Sequence, residues 1–238
     1  MSQPVDHQPE IHHAHRDVTG GWVRPATFGA MDGLVSNFAL ISGVIGGGTD
    51  GHAVILTGIA GLLAGACSMA VGEYTSVASQ TELTQAEIEV ERRELATNPE
   101  EELAELTDVY EAKGLRPELA AEVARELTRD SETAWRVHVR EELGIDPDDL
   151  PSPLVAAVSS FVAFSFGAIV PMLPLIFGWS SLVAVASISA VGLFASGAII
   201  ARLTARPSWF GGGRQLLLGV LAAAVTYSIG TVVGTGLS

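Results

Sequence analysis

Residues 150–201 contain no Asp, Glu, Lys or Arg. A single helix of that length would far exceed the ~30 Å hydrocarbon core of a bilayer, whereas two crossings fit it. Pro171, Pro174 and Gly178 supply the break between them. Three other stretches have the same character: 26–48, whose one charge is Asp32, and the uncharged 53–72 and 215–238. The chain therefore reads as an all-α, polytopic membrane protein with five transmembrane helices. The charge that a water-facing surface needs is concentrated elsewhere. Residues 80–150 hold 21 of the 27 acids and 8 of the 13 bases, giving nearly the whole net charge of −14. That segment forms an acidic, water-facing insert between spans 2 and 3.

Orientation follows from the basic residues. Arg16 and Arg24 precede span 1, eight bases lie between spans 2 and 3, and Arg202, Arg206 and Arg214 lie between spans 4 and 5. The loops after spans 1 and 3, GGGTDGH and PMLPLIFGWSS, have none. This pattern predicts a cytoplasmic N-terminus and insert and an outside C-terminus. The polar opening MSQPVDHQPEIHHAHRD has no basic region leading into a short apolar run, so the spans themselves are expected to direct insertion. The expected division is a tail over 1–23, spans 1 and 2 over 24–79, the insert over 80–150 and spans 3 to 5 over 151–238. The absence of a basic face excludes nucleic acid as a partner. Cys67, the single cysteine, excludes an intrachain disulfide. No nucleophile–base constellation or cofactor loop is apparent, so neither enzyme action nor a prosthetic group is expected.

The glycine pairs Gly43/Gly47, Gly61/Gly65 and Gly230/Gly234 have the small-xxx-small spacing that lets helices approach closely. Five thin spans enclose a pathway poorly, which predicts a homodimer; packing within one protomer explains the glycines equally well. Asp32 lies about 12 Å along the helix from Arg24. An acid at that depth usually faces a cavity, a partner or an ion. Ser36 and Asn37 extend oxygen ligands along the same helix. The alternative is a shorter span that leaves Asp32 at the interface. In span 2, Met69 and Glu73 are one turn apart. A soft thioether beside a hard carboxylate suits a first-row divalent ion, although a lone methionine in a span is more often packing.

Beyond Glu73 the sequence does not turn, and helix formers run to residue 97, with Glu87, Glu91 and Glu94 on one face. Asn98–Pro99 starts a second helix that stops at Gly114, and a third is predicted from Pro117 to 143–144. The result is a three-helix cytoplasmic insert. Glu91/Glu94 and Glu102/Glu105 form two ExxE pairs on consecutive helices, and His138 and Glu142 are one turn apart on the third. Facing carboxylate pairs with an imidazole follow the logic of bundle-built metal sites; the alternative is a solvated acidic face.

DGLVSNFALISGV, AGLLAGACSMAVGEYTSVASQTE, PEEELAELTDVYEAKGL, FGAIVPMLPLIF and the Gly-rich last span together resemble the vacuolar iron transporter family, from about Arg24 to the C-terminus. The resemblance implies a homodimeric Fe²⁺/Mn²⁺ exporter in the lipid bilayer, with metal as substrate and protons as counter-ions. It places Asp32 and Met69 on the family's translocation path. It places Glu91, Glu94, Glu102, Glu105 and Glu142 on its cytoplasmic metal-binding glutamates. Two departures stand out: His138 and Val139 occupy positions where plant members carry methionines, and Gly61 occupies one where they carry an acid. A bacterial-type member in a plasma membrane is the expectation. The rival reading is a membrane-anchored metal sensor or iron store; a Ca²⁺ transporter is a third. His7, His12, His13 and His15 lie outside the resemblance and read as part of a disordered tail, with loose metal capture as the alternative.

Overall fold

A computed structural model describes residues 21–179 and 181–236; the four N-terminal histidines lie outside them. Among the described residues the regular structure is entirely helical, and five helices are long and apolar enough to cross a membrane. Helix α1 spans Val23–Gly46 and α2 spans Gly51–Thr97. The water-facing helices are α3 (Pro99–Ala112), α4 (Pro117–Leu127) and α5 (Ser131–Glu142). Helix α6 (Pro153–Ile169) runs through a 3₁₀ turn at Pro171 into the short α7 (Leu173–Ile176). Gly178, at φ +83°, reverses the chain into α8 (Leu182–Leu203), and α9 (Ser208–Gly236) completes the bundle.

Helix α2 is 47 residues long, about 70 Å at 1.5 Å per residue. Asp50 caps it by accepting a 2.9 Å hydrogen bond from the Ala53 N–H. No glycine or proline interrupts it after Gly72, so a single rod leaves the apolar bundle and forms the first wall of the acidic domain. The segment expected as one helix from Pro117 to 143–144 is two, α4 and α5, separated at 128–130. Asp130 causes the break: its carboxylate accepts from both the backbone N–H (2.9 Å) and the hydroxyl (2.8 Å) of Thr133, starting a new helix. Ile88, Trp135 and Val139 form the domain's small core, with the Arg92 guanidinium 3.9 Å from the Trp135 ring centroid.

Helix α1 is the centre of the membrane bundle, packing on α2, α6, α8 and α9. Its inner face contributes Leu34, Phe38 and Ile41 to a core completed by Val54, Met172, Leu175, Val185, Leu193 and Ala223. Contact with α6 is backbone to backbone: a Cβ at Gly33 would strike the Phe164 carbonyl, and one at Gly167 the Ala30 carbonyl. On the other side, Gly43 of α1 and Gly47, which caps it, meet Gly230 and Gly234 of α9. Gly61 and Gly65 face Leu40 and the Phe164 ring. All three glycine pairs are thus used inside the protomer.

Gly230→Ala should push α9 off α1, because its Cβ would meet the Gly43 carbonyl and lie 3.1 Å from the Gly47 nitrogen. A loss of about 1–3 kcal/mol is expected, read as a lower unfolding midpoint in detergent. Gly213→Ala, in the same helix with nothing within 4 Å of the new Cβ, should leave the midpoint in place. Equal effects from the two would contradict this packing.

Candidate metal sites

Helix crossing places the first site. Where α1, α2 and α6 meet, a cavity of about 320 Å³ opens among Asp32, Ser36, Asn37, Gly61, Ser68 and Met69, with Phe164 as its apolar wall. Asn37 is buried, and its Nδ2 donates a 2.7 Å hydrogen bond to the Ala168 carbonyl across the α1–α6 contact. That bond fixes the amide, and its Oδ1 is left buried without a hydrogen-bond partner. An unsatisfied buried acceptor costs about 1–3 kcal/mol, which a cation or a water in the cavity would offset. The Ser36 hydroxyl donates to the Asp32 backbone carbonyl at 2.5 Å, so its lone pairs remain available. Asp32, Ser36 and Ser68 are exposed on the surface of the single chain.

Gly61 has a clear role here. A Cβ at that position would sit 3.0 Å from Asn37 Oδ1 and strike Leu40, so the missing side chain makes room for the amide oxygen. Glu73 lies one turn past Met69 on α2, half-buried and outside the cavity lining. Ser68 and Phe164 were not anticipated. Ser68 could have been found, because Gly61, Gly65 and Ser68 follow i, i+4, i+7 spacing on one face of α2. Phe164, from a distant span, leaves no local signal.

The second site lies in the helical domain, about 33 Å along α2 from Met69 to Glu91 at 1.5 Å per residue. The antiparallel return through Asn98–Pro99 sets Glu102 of α3 opposite Glu91, and α5 closes over them with His138 and Glu142. One ligand atom from each of these four residues lies within 4.8 Å of all the others. His138 is fully buried, with Nδ1 at 3.0 Å from Glu142 Oε1, 3.2 Å from Glu91 Oε1 and 3.5 Å from Glu102 Oε2. Nδ1 thus faces all three carboxylates, and Nε2 is buried without a partner. Of the remaining predicted glutamates, Glu105 lies near enough for its charge to act on Glu91, Glu102, Glu142 and His138. Glu94 instead accepts from Asn98 Nδ2 at 2.9 Å, at the helix connection. Glu87, a turn before Glu91, is exposed outside the cluster.

Three carboxylates so close together repel, and burial deprives them of water. Glu91 is pushed up to about 7, by burial first and then by the charges of Glu142 and Glu102. Burial also raises Glu102 and Glu142. Desolvation lowers His138, against the opposing pull of Glu102 and Glu105, and so favours its neutral form. A neutral imidazole with three oxygen ligands, in a pocket that lacks positive charge, is a donor set for a borderline divalent transition ion.

The VIT family profile matches residues 23–231. The chain belongs to the VIT family. It is 39% identical to a vacuolar iron transporter of Acanthamoeba castellanii (strain ATCC 30010 / Neff) over 89% of this chain and 78% of that protein. It is 29% identical to vacuolar iron transporter 1 of Oryza sativa subsp. japonica, over 94% and 90% of the two chains. It is 32% identical to vacuolar iron transporter homolog 2 of Arabidopsis thaliana, over 90% and 85%. With its apolar helices, this membership makes the chain an integral, multi-pass membrane protein. These relatives are amoebal and plant proteins, and the comparisons do not support the expectation of a bacterial-type member.

Because Glu91 holds its proton up to about pH 7 in the folded chain but releases it near the ordinary glutamate value of 4.5 when unfolded, the folded state binds more protons between these values. The metal-free protein should therefore lose stability as pH rises from about 4.5 to 7, and divalent metal should restore it most at and above pH 7. Metal affinity of the full chain should weaken about tenfold per pH unit below 7, and Glu91→Gln should flatten that slope; an unchanged slope in the variant would contradict the assignment. His138→Leu should weaken Co²⁺ binding roughly tenfold or more, and Mn²⁺ binding less, because imidazole favours the later metal. Calorimetry of the purified chain would detect both effects, and equal losses for the two ions would refute an imidazole ligand.

Proposed function

We propose that this chain exports Fe²⁺ or Mn²⁺ from the cytoplasm in exchange for protons, acting as a homodimer. The observation that carries the reading is that one uninterrupted helix, α2, bears residues of both clusters, Met69 in the membrane and Glu91 in the water-facing domain. The names of the relatives support iron as cargo. The distribution of Lys and Arg supports a cytoplasmic domain and therefore outward movement.

In this mechanism Glu91, Glu102, Glu142 and His138 collect the ion, with Glu105 adding to the field, and the ion displaces the proton held near neutral pH by Glu91. It then passes to the membrane cavity, where Asp32 supplies charge, Met69 a soft ligand, and Asn37 Oδ1 and Ser36 neutral oxygens. Glu73, a turn from Met69 on the side of the domain, is the intermediate carboxylate. Protonation of Asp32 from the outside releases the ion, and its deprotonation toward the cytoplasm resets the site.

The dimer follows from the cost of Asp32. An ionised acid open to lipid at mid-span costs about 2.5–3.5 kcal/mol on insertion scales, and a second copy set against the open side of the cavity covers it and doubles the ligand set. The soft and borderline donors Met69 and His138 favour Fe²⁺ or Mn²⁺ over Ca²⁺; under a Ca²⁺ reading, Met69→Leu would leave transport of the native ion unchanged.

Liposomes with an entrapped metal-sensitive dye and an imposed pH gradient test this reading. Wild type should move Fe²⁺ or Mn²⁺ only when the gradient is present. Asp32→Ala should fall to the leak rate of protein-free vesicles while keeping metal binding in the helical domain. Gradient-independent flux would remove the proton coupling. An absence of flux with the domain still loaded would favour an anchored sensor or store.

A further inference from the structure

The corner between α8 and α9 encloses a cavity with basic residues in its lining. Helix α8 ends in a left-handed turn: Ala205 sits at φ +53° and the Arg206 N–H donates to the Ala201 carbonyl at 2.7 Å. This turn fixes Arg206 beside a cavity of about 330 Å³ that it shares with Ile200, Thr204, Phe210 and Arg214. The corner lies at the end of the bundle that carries the helical domain, since successive spans alternate direction.

Several arginines of the helical domain are held in ion pairs. Arg129, Arg136 and Arg140 are paired with Glu126, with Glu132 and Asp148, and with Asp146. Arg202, close by, donates from Nε to Ser208 Oγ at 3.0 Å. Among the described residues the side chains of Arg206 and Arg214 have neither an ion pair nor a hydrogen bond, and no acid occurs anywhere from 151 to 238. Two arginines thus line one cavity, and neither side chain has an ion pair among the described residues. The amino end of the 29-residue α9 adds its positive dipole to the same place.

The walls of the cavity suggest the class of anion. Ile200 and Phe210 are apolar, and beyond the cavity Ile199, Leu203, Leu217, Leu218 and Leu221 continue an exposed aliphatic surface along α8 and α9. Trp209, largely exposed, meets Phe210 edge to face at the same level, as aromatic residues do at headgroup depth. A soluble phosphate would use only the guanidiniums, whereas a phospholipid would use the apolar walls as well. We propose that this corner is a binding site for an anionic phospholipid, with its phosphate between Arg206 and Arg214 and its acyl chains against α8 and α9.

The test is lipid binding by the purified full chain in detergent, measured by native mass spectrometry without metal or flux, so its outcome is independent of the transport reading. Wild type should bind phosphatidylglycerol roughly tenfold more tightly than phosphatidylcholine, as two basic side chains near a headgroup imply. The double variant R206Q/R214Q should lose that preference. Arg24→Gln, an exposed arginine at the same end of the bundle but outside the cavity, should retain it. R206K/R214K, which preserves charge and bulk, should retain part of it and shows that loss in the glutamine variant is not loss of fold. Equal affinity for the two lipids in wild type, or an equal loss in Arg24→Gln, would overturn the proposal. Competition by glycerol 3-phosphate at the concentrations where phosphatidylglycerol binds would also overturn it, by assigning the site to a soluble phosphate.

Discussion

Helix α1 lies directly against α6 because Gly33 and Gly167 carry no side chains, and their backbones approach to where a Cβ would strike a carbonyl. Without a hydrophobic effect to join helices inside lipid, such contact and the polar bonds it permits hold the bundle together. The bond from Asn37 to the Ala168 carbonyl crosses this contact and fixes an amide whose oxygen has no other protein partner. The membrane cavity is a consequence: the same crossing that orients Asn37 sets Asp32 and Ser36 opposite Ser68 and Met69 of α2. Moving α1 away from α6 would separate the ligands as well as the helices.

The second constraint is the continuity of α2. A helix that ended at the membrane surface would leave the acidic domain tethered by a loop, free to turn relative to the cavity. Running unbroken to Thr97, α2 instead sets Met69 and Glu91 in a fixed relation. The domain core of Ile88, Trp135 and Val139 then draws α5 onto the rod, and that packing buries His138 among carboxylates. Buried like charges so near one another are tolerable only with a proton or a cation between them, as the raised Glu91 reflects. In the proposed exchange, proton and metal would compete for the same oxygens.

Much of this was legible in the sequence. Uncharged runs gave the five spans, and the lack of any turn signal after Glu73 gave the continuous α2. The facing of the Glu91/Glu94 and Glu102/Glu105 pairs, and the spacing of His138 and Glu142, followed from helical periodicity and a short connection. Spacing alone overestimated the cluster, however. Glu87, Glu91 and Glu94 share a face over two turns, but the incoming helices cover only a small part of it, and Asn98 takes Glu94. The break between α4 and α5 was readable in the Asp130–Thr133 cap but was masked by strong helix formers on both sides. Phe164 and the free oxygen of Asn37 arise from contacts between distant spans, which no local pattern encodes.

Anomalous diffraction from crystals of the full chain loaded with Mn²⁺ tests most directly the proposal of two metal stations joined by one helix. One peak is expected among Glu91, Glu102, His138 and Glu142 and another beside Asp32, Asn37 and Met69, with the second lost in Asp32→Ala while the first remains. Density confined to the helical domain at saturating metal, or an ion held elsewhere in the bundle, would contradict a path through the α1–α2–α6 cavity.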